Sequence, residues 1–144
     1  MKITNKKAHF DYELSETMEA GITLFGSEVK AVRLGHADLT GSYVKIIGSE
    51  VYLINATISP YQSGRIEGYD EKRTRKLLLH SKEILALKSK MQSANLALIP
   101  VSLYFKNGFI KLELALGKGK KKFEKRESIK KKDIQRNIEH EMPN

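Results

Sequence analysis

The stretch GKGKKKFEKRESIKKK, residues 117–132, has the chemistry of a phosphate-binding segment. Nine of its sixteen residues are Lys or Arg and two are Glu, so it carries +7 of the chain's net charge of +9. Lys and Arg neutralise phosphates and release counterions, and the one aromatic residue, Phe123, can stack on an unpaired base. The composition therefore predicts a contact with nucleic acid; the alternative is a solubilising tail.

Two other basic clusters allow the same chemistry. KRTRK, residues 72–76, is a second cation cluster, which could equally be the solvated start of a helix. NKKAHFDY, residues 5–12, combines two lysines with Phe10 and Tyr12, a possible stacking pair or one strand face packed into the core. With a pI of about 9.6, the chain is expected to bind a polyanion, nucleic acid ahead of a membrane surface.

Catalysis is poorly supported by the residue types. The four histidines are scattered without ligand spacing, and GKGKK lacks the glycine spacing of a phosphate-binding loop. The chain has no Cys, which agrees with a reducing cytoplasm and excludes thiolate metal sites. We therefore predict no catalytic residue, no metal and no cofactor.

MKITNKKAHF does not have the pattern of a signal peptide and no apolar run is long enough to span a membrane, so the expected location is the cytoplasm.

Two hairpins must position these clusters. Asn107-Gly108 suits a two-residue type I′ turn, and that register pairs Phe105 with Ile110, Leu103 with Leu112 and Val101 with Leu114 on one apolar face. Tyr104, Lys111, Ser102 and Glu113 then fall on the other face. Gly48-Ser49 predicts a second hairpin, which pairs Ile46 with Val51 and Val44 with Leu53.

The remaining elements are two strands and two helices. The strands are expected at about 9–16 and 20–25. One helix is predicted to follow Gly26, with Ser27 as N-cap and Gly35 as C′, and the other to start at Ser81. A polar loop is expected at about 59–72. The order of elements predicts a mainly β fold, a small antiparallel barrel of the oligonucleotide-binding (OB) type with two or three packed helices.

The regular pattern stops at Leu116. Beyond it, Ile129, Ile134 and Ile138 are too sparse to bury the segment, so disorder is expected from about residue 118. The predicted organisation is a barrel, residues 1–117, and a flexible basic C-terminal tail, residues 118–144.

Several blocks together resemble one family. They are NKKAHFDY, EAGITLFGSEVKAVRLG, SYVKI, ISPY, RTRKLLLHSKEI, LYFKNGFIKLELALGKGKK and EKRESIKK. In this order, over about residues 5–132, they are similar to the SsrA-binding proteins, also called small protein B (SmpB). The chain departs from the family pattern at Phe123, where Tyr or His is frequent, and at Glu71, where Pro is common.

The resemblance implies a function without catalysis. Members of the family bind the tRNA-like end of transfer-messenger RNA and enter stalled ribosomes, where the unfinished chain is tagged in trans-translation. The implied partners are that RNA, the 16S rRNA decoding centre and empty mRNA channel of the ribosome, and elongation factor Tu through the charged RNA. A monomer without a membrane partner is expected.

Site residues are carried over from the family motifs. For RNA binding they are Asn5, Lys6, Tyr12, Glu19, Lys30, Arg33, Arg75, Lys76 and Leu78. For the tail in the decoding centre and channel they are Lys118, Lys120, Lys121, Phe123, Glu124, Lys125, Arg126, Lys130, Lys131, Ile134, Arg136 and Ile138. Glu19 is expected to accept hydrogen bonds from a base edge, because phosphate would repel its charge.

Two other functions remain open. One is a structural ribosomal protein whose tail threads rRNA, and the other is a general single-strand-binding barrel.

Overall fold

A computed structural model describes residues 2–59 and 67–120. These residues form nine strands and three helices. In chain order they are β1 Lys2–Thr4, α1 Lys6–Asp11, β2 Tyr12–Ile22, α2 Gly26–Arg33, β3 Ala37–Asp38, β4 Tyr43–Ile47, β5 Glu50–Ile54, β6 Thr57–Ile58, β7 Arg75–Leu78, α3 Ser81–Ala94, β8 Ala97–Lys106 and β9 Phe109–Gly119.

Seven strands form one antiparallel sheet in the order β1-β8-β9-β2-β7-β5-β4, and β3 pairs with β6 separately. The prediction of a mainly β fold with two or three helices is confirmed. The predicted closed barrel is not found: within the described residues no ladder joins the edge strands β1 and β4. The sheet curves strongly enough for β4 to pass close to β8, so one face encloses the core.

The core lies on the concave face of the sheet. Leu53, Leu103, Leu112 and Leu114 are fully buried there, and Val32 of α2 packs against the same cluster. Alternation along the strands sends every second side chain to the opposite, convex side, here called the outer face.

The two predicted hairpins are confirmed at their turns. Asn107 and Gly108 have φ values of 52° and 85°, as a type I′ turn requires, and Phe105 pairs with Ile110. Further along, the register shifts between Pro100 and Ser102, so Pro100 and not Val101 lies opposite Leu114. The β4–β5 hairpin has the predicted register throughout.

The N-terminal region differs from the prediction. Instead of strands at 9–16 and 20–25, the chain forms helix α1 and one long strand, β2, with a bulge between Leu14 and Thr17. Asn5 starts the helix, because its side-chain oxygen accepts the Ala8 N–H at 3.3 Å. The aromatic and β-branched pattern of the segment concealed this cap.

Both predicted helices are present, but α2 is capped two residues earlier than predicted and α3 one residue earlier. The N-cap of α2 is Phe25, not Ser27, and the Glu28 carboxylate accepts the Phe25 N–H at 2.8 Å. The N-cap of α3 is His80, not Ser81. The φ of +82° at Gly35, directly after the C-cap, confirms its predicted place.

Two boundaries near the basic clusters also differ. The 72–76 cluster is not a helix start, because Arg75 begins strand β7. Strand β9 continues to Gly119, three residues beyond Leu116, so Lys118 is a strand residue. A Cβ at Gly117 would lie 2.8 Å from the Ile99 side chain, which explains the glycine there.

Residues 121–144 lie outside the described residues, and the division into barrel and tail stays a prediction.

Candidate nucleic-acid interface

Five strands contribute one side chain or glycine each to a straight row across the outer face. Four ladders pair Lys2 with Tyr104, Tyr104 with Lys111, Lys111 with Gly21 and Gly21 with Leu78. We call this the outer row. Because its residues oppose one another in register, cations and an aromatic ring lie side by side on an accessible surface.

Glu19 lies in a cleft at the Leu78 end of the outer row. The cleft has a volume of about 410 Å³ and is here called the Glu19 cleft. It is lined by Glu19, Gly21, Leu78, Leu79, His80, Glu83 and Lys111. Gly21 leaves the bottom of the cleft open, since a Cβ at this position would lie 3.1 Å from the Leu78 Cβ. Leu78 itself is 56% exposed, whereas the adjacent Leu77 is buried in the core.

The Glu19 carboxylate is held by its neighbours. The Tyr104 hydroxyl donates a hydrogen bond to Oε2, and Lys106 Nζ lies 3.3 Å from the same oxygen. The Tyr104 hydroxyl, followed by Lys106, holds the pKa of Glu19 below its usual range. Within the described chain, Oε1 receives no hydrogen bond, so one oxygen of the ionised carboxylate remains available as an acceptor. A carboxylate of this kind can accept from an exocyclic amino group of a base.

Lys76 lies on the outer face beyond Leu78. It opposes Tyr52 in the β5–β7 ladder and forms an ion pair with Glu50 at 3.1 Å. Both partners are about half exposed, so the pair is weak and a phosphate can compete for the lysine. The structure therefore places three of the predicted RNA-binding residues on the outer face: Glu19 and Leu78 line the cleft, and Lys76 lies two residues before Leu78 on β7.

Asn5, Lys6 and Tyr12 lie at the other end of β2. Seven residues separate Tyr12 from Glu19, which corresponds to about 23 Å along a strand. Asn5 is buried, and besides capping α1 it donates from its amide to the Pro100 carbonyl at 2.9 Å. Its side chain fixes the α1–β8 contact, whereas Lys6 is exposed.

The two predicted residues on α2 are exposed. The guanidinium of Arg33 lies over the Phe105 ring at 4.7 Å from the centroid, next to the β8–β9 turn. Lys30 lies one helical turn before it. These residues form a separate basic surface and do not line the Glu19 cleft.

Arg75 is placed differently from the expectation. It is fully buried, and its guanidinium pairs with Glu28 at 2.7 Å. It also donates to the carbonyls of Ala56 and Glu71 and to the Tyr69 hydroxyl. The expectation of an RNA contact at Arg75 is therefore corrected: this residue holds segment 67–75 on the body of the domain.

Glu28 accepts hydrogen bonds from two arginines, Arg73 and Arg75. Burial alone would raise the pKa of Glu28, but hydrogen bonds from Arg73, the Phe25 N–H, Arg75 and Tyr69 outweigh that effect and hold the pKa below its usual range. The carboxylate is therefore ionised and compensates the buried guanidinium of Arg75.

Two residues of the predicted tail site are within the described chain. Lys118 pairs with Glu13 across the β2–β9 ladder. Lys120 donates its backbone N–H to the Asp11 carbonyl at 2.9 Å and its Nζ to the His9 carbonyl at 3.1 Å. Both are part of the folded domain. The other ten predicted tail residues lie outside the described chain.

The predicted RNA set omitted Tyr104 and Lys111. The signal for both was available, because the Asn-Gly register places them on the face opposite the core. What the sequence did not show was that β2 and β7 bring Glu19 and Leu78 beside them.

In residues 2–59 and 67–120, no helix is long and apolar enough to cross a membrane. The same residues contain no group of three or more His, Asp or Glu side chains arranged to hold a metal ion.

A curved antiparallel sheet with a basic and aromatic outer face and one oriented carboxylate is the arrangement of a nucleic-acid-binding β domain. Comparison with known proteins shows which family within this class the chain belongs to. The sequence model of the SmpB protein family matches residues 2–144, so the chain belongs to the SmpB family. The resemblance seen in the sequence motifs is confirmed.

Relatives match over nearly their whole length. The SsrA-binding protein of Sulfurihydrogenibium sp. is 52% identical over 136 residues, covering 94% of this chain and 90% of that protein. That of Anoxybacillus flavithermus is 50% identical, with 94% and 88% covered. A chain in the solved structure described as "tmRNA-SmpB: a journey to the center of the bacterial ribosome" is 40% identical, with a TM-score of 0.70 and coverage of 89% and 94%.

Proposed function

We propose that this protein is a non-catalytic adaptor that binds the tRNA-like domain of transfer-messenger RNA and delivers it to stalled ribosomes for trans-translation. The observation that carries the proposal is the match along nearly the whole chain to proteins named for SsrA binding. The similar solved chain comes from a structure whose description joins tmRNA, SmpB and the ribosome.

The Glu19 cleft supplies a physical route to specific binding. Lysines of the outer row neutralise phosphates, which gives affinity without sequence preference. The oriented Glu19 carboxylate distinguishes a base edge from a phosphate, because it is repelled by the phosphate and bonds only to a donor. Leu78 offers an exposed apolar contact beside it.

The tail function is part of the proposal and is supported by the family motif alone. Residues from Lys121 to Ile138 would enter the decoding centre and the empty mRNA channel, becoming partly helical there, and Phe123 would stack on a decoding base. Elongation factor Tu would join through the charged RNA. The protein would act as a cytoplasmic monomer.

The decisive experiment separates binding from delivery. Equilibrium binding of the tRNA-like domain is measured with and without excess unstructured RNA, in parallel with peptide tagging on ribosomes with an empty message channel. Replacing Lys121, Lys125 and Arg126 with Ala should leave RNA affinity within about tenfold and abolish tagging.

Other outcomes point to the alternatives. If unstructured RNA competes equally well, the protein is a general single-strand binder. If it stays stoichiometric on ribosomal subunits stripped in high salt, it is a structural ribosomal protein. If tagging survives the substitutions, the tail has no part in delivery.

A further inference from the structure

Phe109 is an aromatic side chain at the tip of the β8–β9 hairpin that none of the sites above uses. It is 68% exposed. It is two residues before Lys111 on β9 and opposes Lys106 across the ladder, so it shares the outer face with both lysines. Single exposed apolar residues are common, and exposure by itself indicates nothing.

The surroundings of the Phe109 ring are cationic. Lys111 Nζ lies 5.7 Å from the ring centroid, within the range of a cation–π contact. Lys106 is the direct cross-strand neighbour. Phe105 is the other exposed aromatic of the hairpin. It is one residue before Lys106 on β8, so its side chain leaves the opposite face of the sheet and lies against Arg33. The ring is thus one isolated aromatic platform among positive charges, not part of a broad apolar patch that would suit a protein partner.

The turn fixes the backbone that carries this ring before any ligand arrives. The positive φ values at Asn107 and Gly108 close a two-residue turn, and the ladder resumes at the Lys106–Phe109 pair. The backbone at Phe109 therefore needs no further ordering when a ligand binds, which lowers the entropic cost of binding. Lys111 belongs to the Glu19 cleft, and Phe109 lies two residues before it on β9, about 6.8 Å away.

We propose that Phe109 is a stacking platform for an unpaired RNA base, extending the Glu19 cleft to the hairpin tip. The flanking Lys106 and Lys111 would meet the phosphates on either side of the stacked base. This inference rests on the proposed RNA-binding function and adds a contact to it.

Tryptophan fluorescence can test the stacking directly, because the natural chain contains no Trp. Phe109→Trp places one reporter at the hairpin tip, and Leu85→Trp places one at a similarly exposed position on α3, 70% exposed and outside the Glu19 cleft. The probes are the tRNA-like domain and an unstructured RNA oligomer. Stacking predicts saturable quenching of the Phe109→Trp signal and none for Leu85→Trp.

Affinity provides the second readout. Phe109→Leu keeps an apolar side chain but removes the ring, and should weaken binding of the tRNA-like domain about 5- to 150-fold, the loss expected for one stacked base. Leu85→Ala should leave affinity within about twofold. Unchanged affinity of Phe109→Leu, or equal quenching at both reporters, overturns the inference. If the parent protein itself does not bind the tRNA-like domain, the proposed function fails, and quenching by the oligomer alone then decides whether Phe109 stacks.

Discussion

At the scale of single residues, the contact between Glu19 and Tyr104 is the most informative. Eighty-five positions separate the two residues, and the hydroxyl of one fixes the carboxylate of the other. The low pKa of Glu19 keeps its charge as the pH falls below the usual range for a carboxyl group. An acid kept ionised on a basic surface weakens general attraction for RNA, so under the proposed function Glu19 is expected to act in recognition.

Glu19→Gln should therefore weaken binding of the tRNA-like domain, although it removes a negative charge. The lost charge-assisted hydrogen bond corresponds to roughly 1.5–3 kcal/mol. Glu16→Gln is the matched control, since Glu16 is on the same strand, exposed and paired with Lys90. Removal of that charge should leave affinity unchanged or slightly higher. If both variants bind more tightly than the parent, Glu19 only repels RNA.

Tyr104→Phe should reduce specific RNA affinity through Glu19. The variant keeps the ring and loses the hydroxyl that orients the carboxylate. A double-mutant cycle with Glu19→Gln measures the coupling, and in that background Tyr104→Phe should have little effect. Additive losses in the cycle would show that Tyr104 contacts the RNA independently.

At the scale of elements, β7 and α2 are joined by a buried ion-pair network. The Arg75 guanidinium is surrounded by Glu28, Tyr69 and backbone carbonyls, and this fixes segment 67–75 on the domain. The same strand presents Lys76 and Leu78 to the outer face. The network thus positions part of the candidate interface without touching the ligand.

Glu28→Gln should destabilise the fold by about 3–5 kcal/mol, because it leaves the buried guanidinium uncompensated. Chemical denaturation measures the free energy of unfolding. Glu50→Gln breaks the exposed pair with Lys76 and should cost less than about 1 kcal/mol. Equal effects of the two substitutions would contradict the structural role given to Arg75.

At the scale of the whole molecule, residues 117–120, the last that the structure describes, are held by strand pairing. Gly117, Lys118 and Gly119 are paired with Leu14, Glu13 and Tyr12, and Lys120 still bonds to Asp11. The domain therefore includes the first residues of the basic run.

A protein ending at Lys120 should bind the tRNA-like domain within about tenfold of the full chain, or about 1.4 kcal/mol. One ending at Leu116 should lose roughly 2–4 kcal/mol of unfolding free energy, since several hydrogen bonds of about 1 kcal/mol each disappear. Denaturation and RNA binding are measured on both. A loss of several orders of magnitude in affinity for the 1–120 protein would place the RNA site in the tail.

The sequence by itself determined features that depend on neighbours in the chain. Gly48-Ser49 set the register of the whole β4–β5 hairpin, and Asn107-Gly108 set that of β8–β9 from the turn to the Ser102–Glu113 pair, because a tight turn and strict alternation leave one pairing that buries the apolar face. The family motifs identified the SmpB family. The tertiary structure decided the features that join distant segments. Arg75 looked like a surface cation until Glu28, 47 residues away, was placed beside it. Glu19 and Lys111 became one cleft only through the β2–β9 ladder, since sequence periodicity states which face a side chain occupies but not which strand lies next to it.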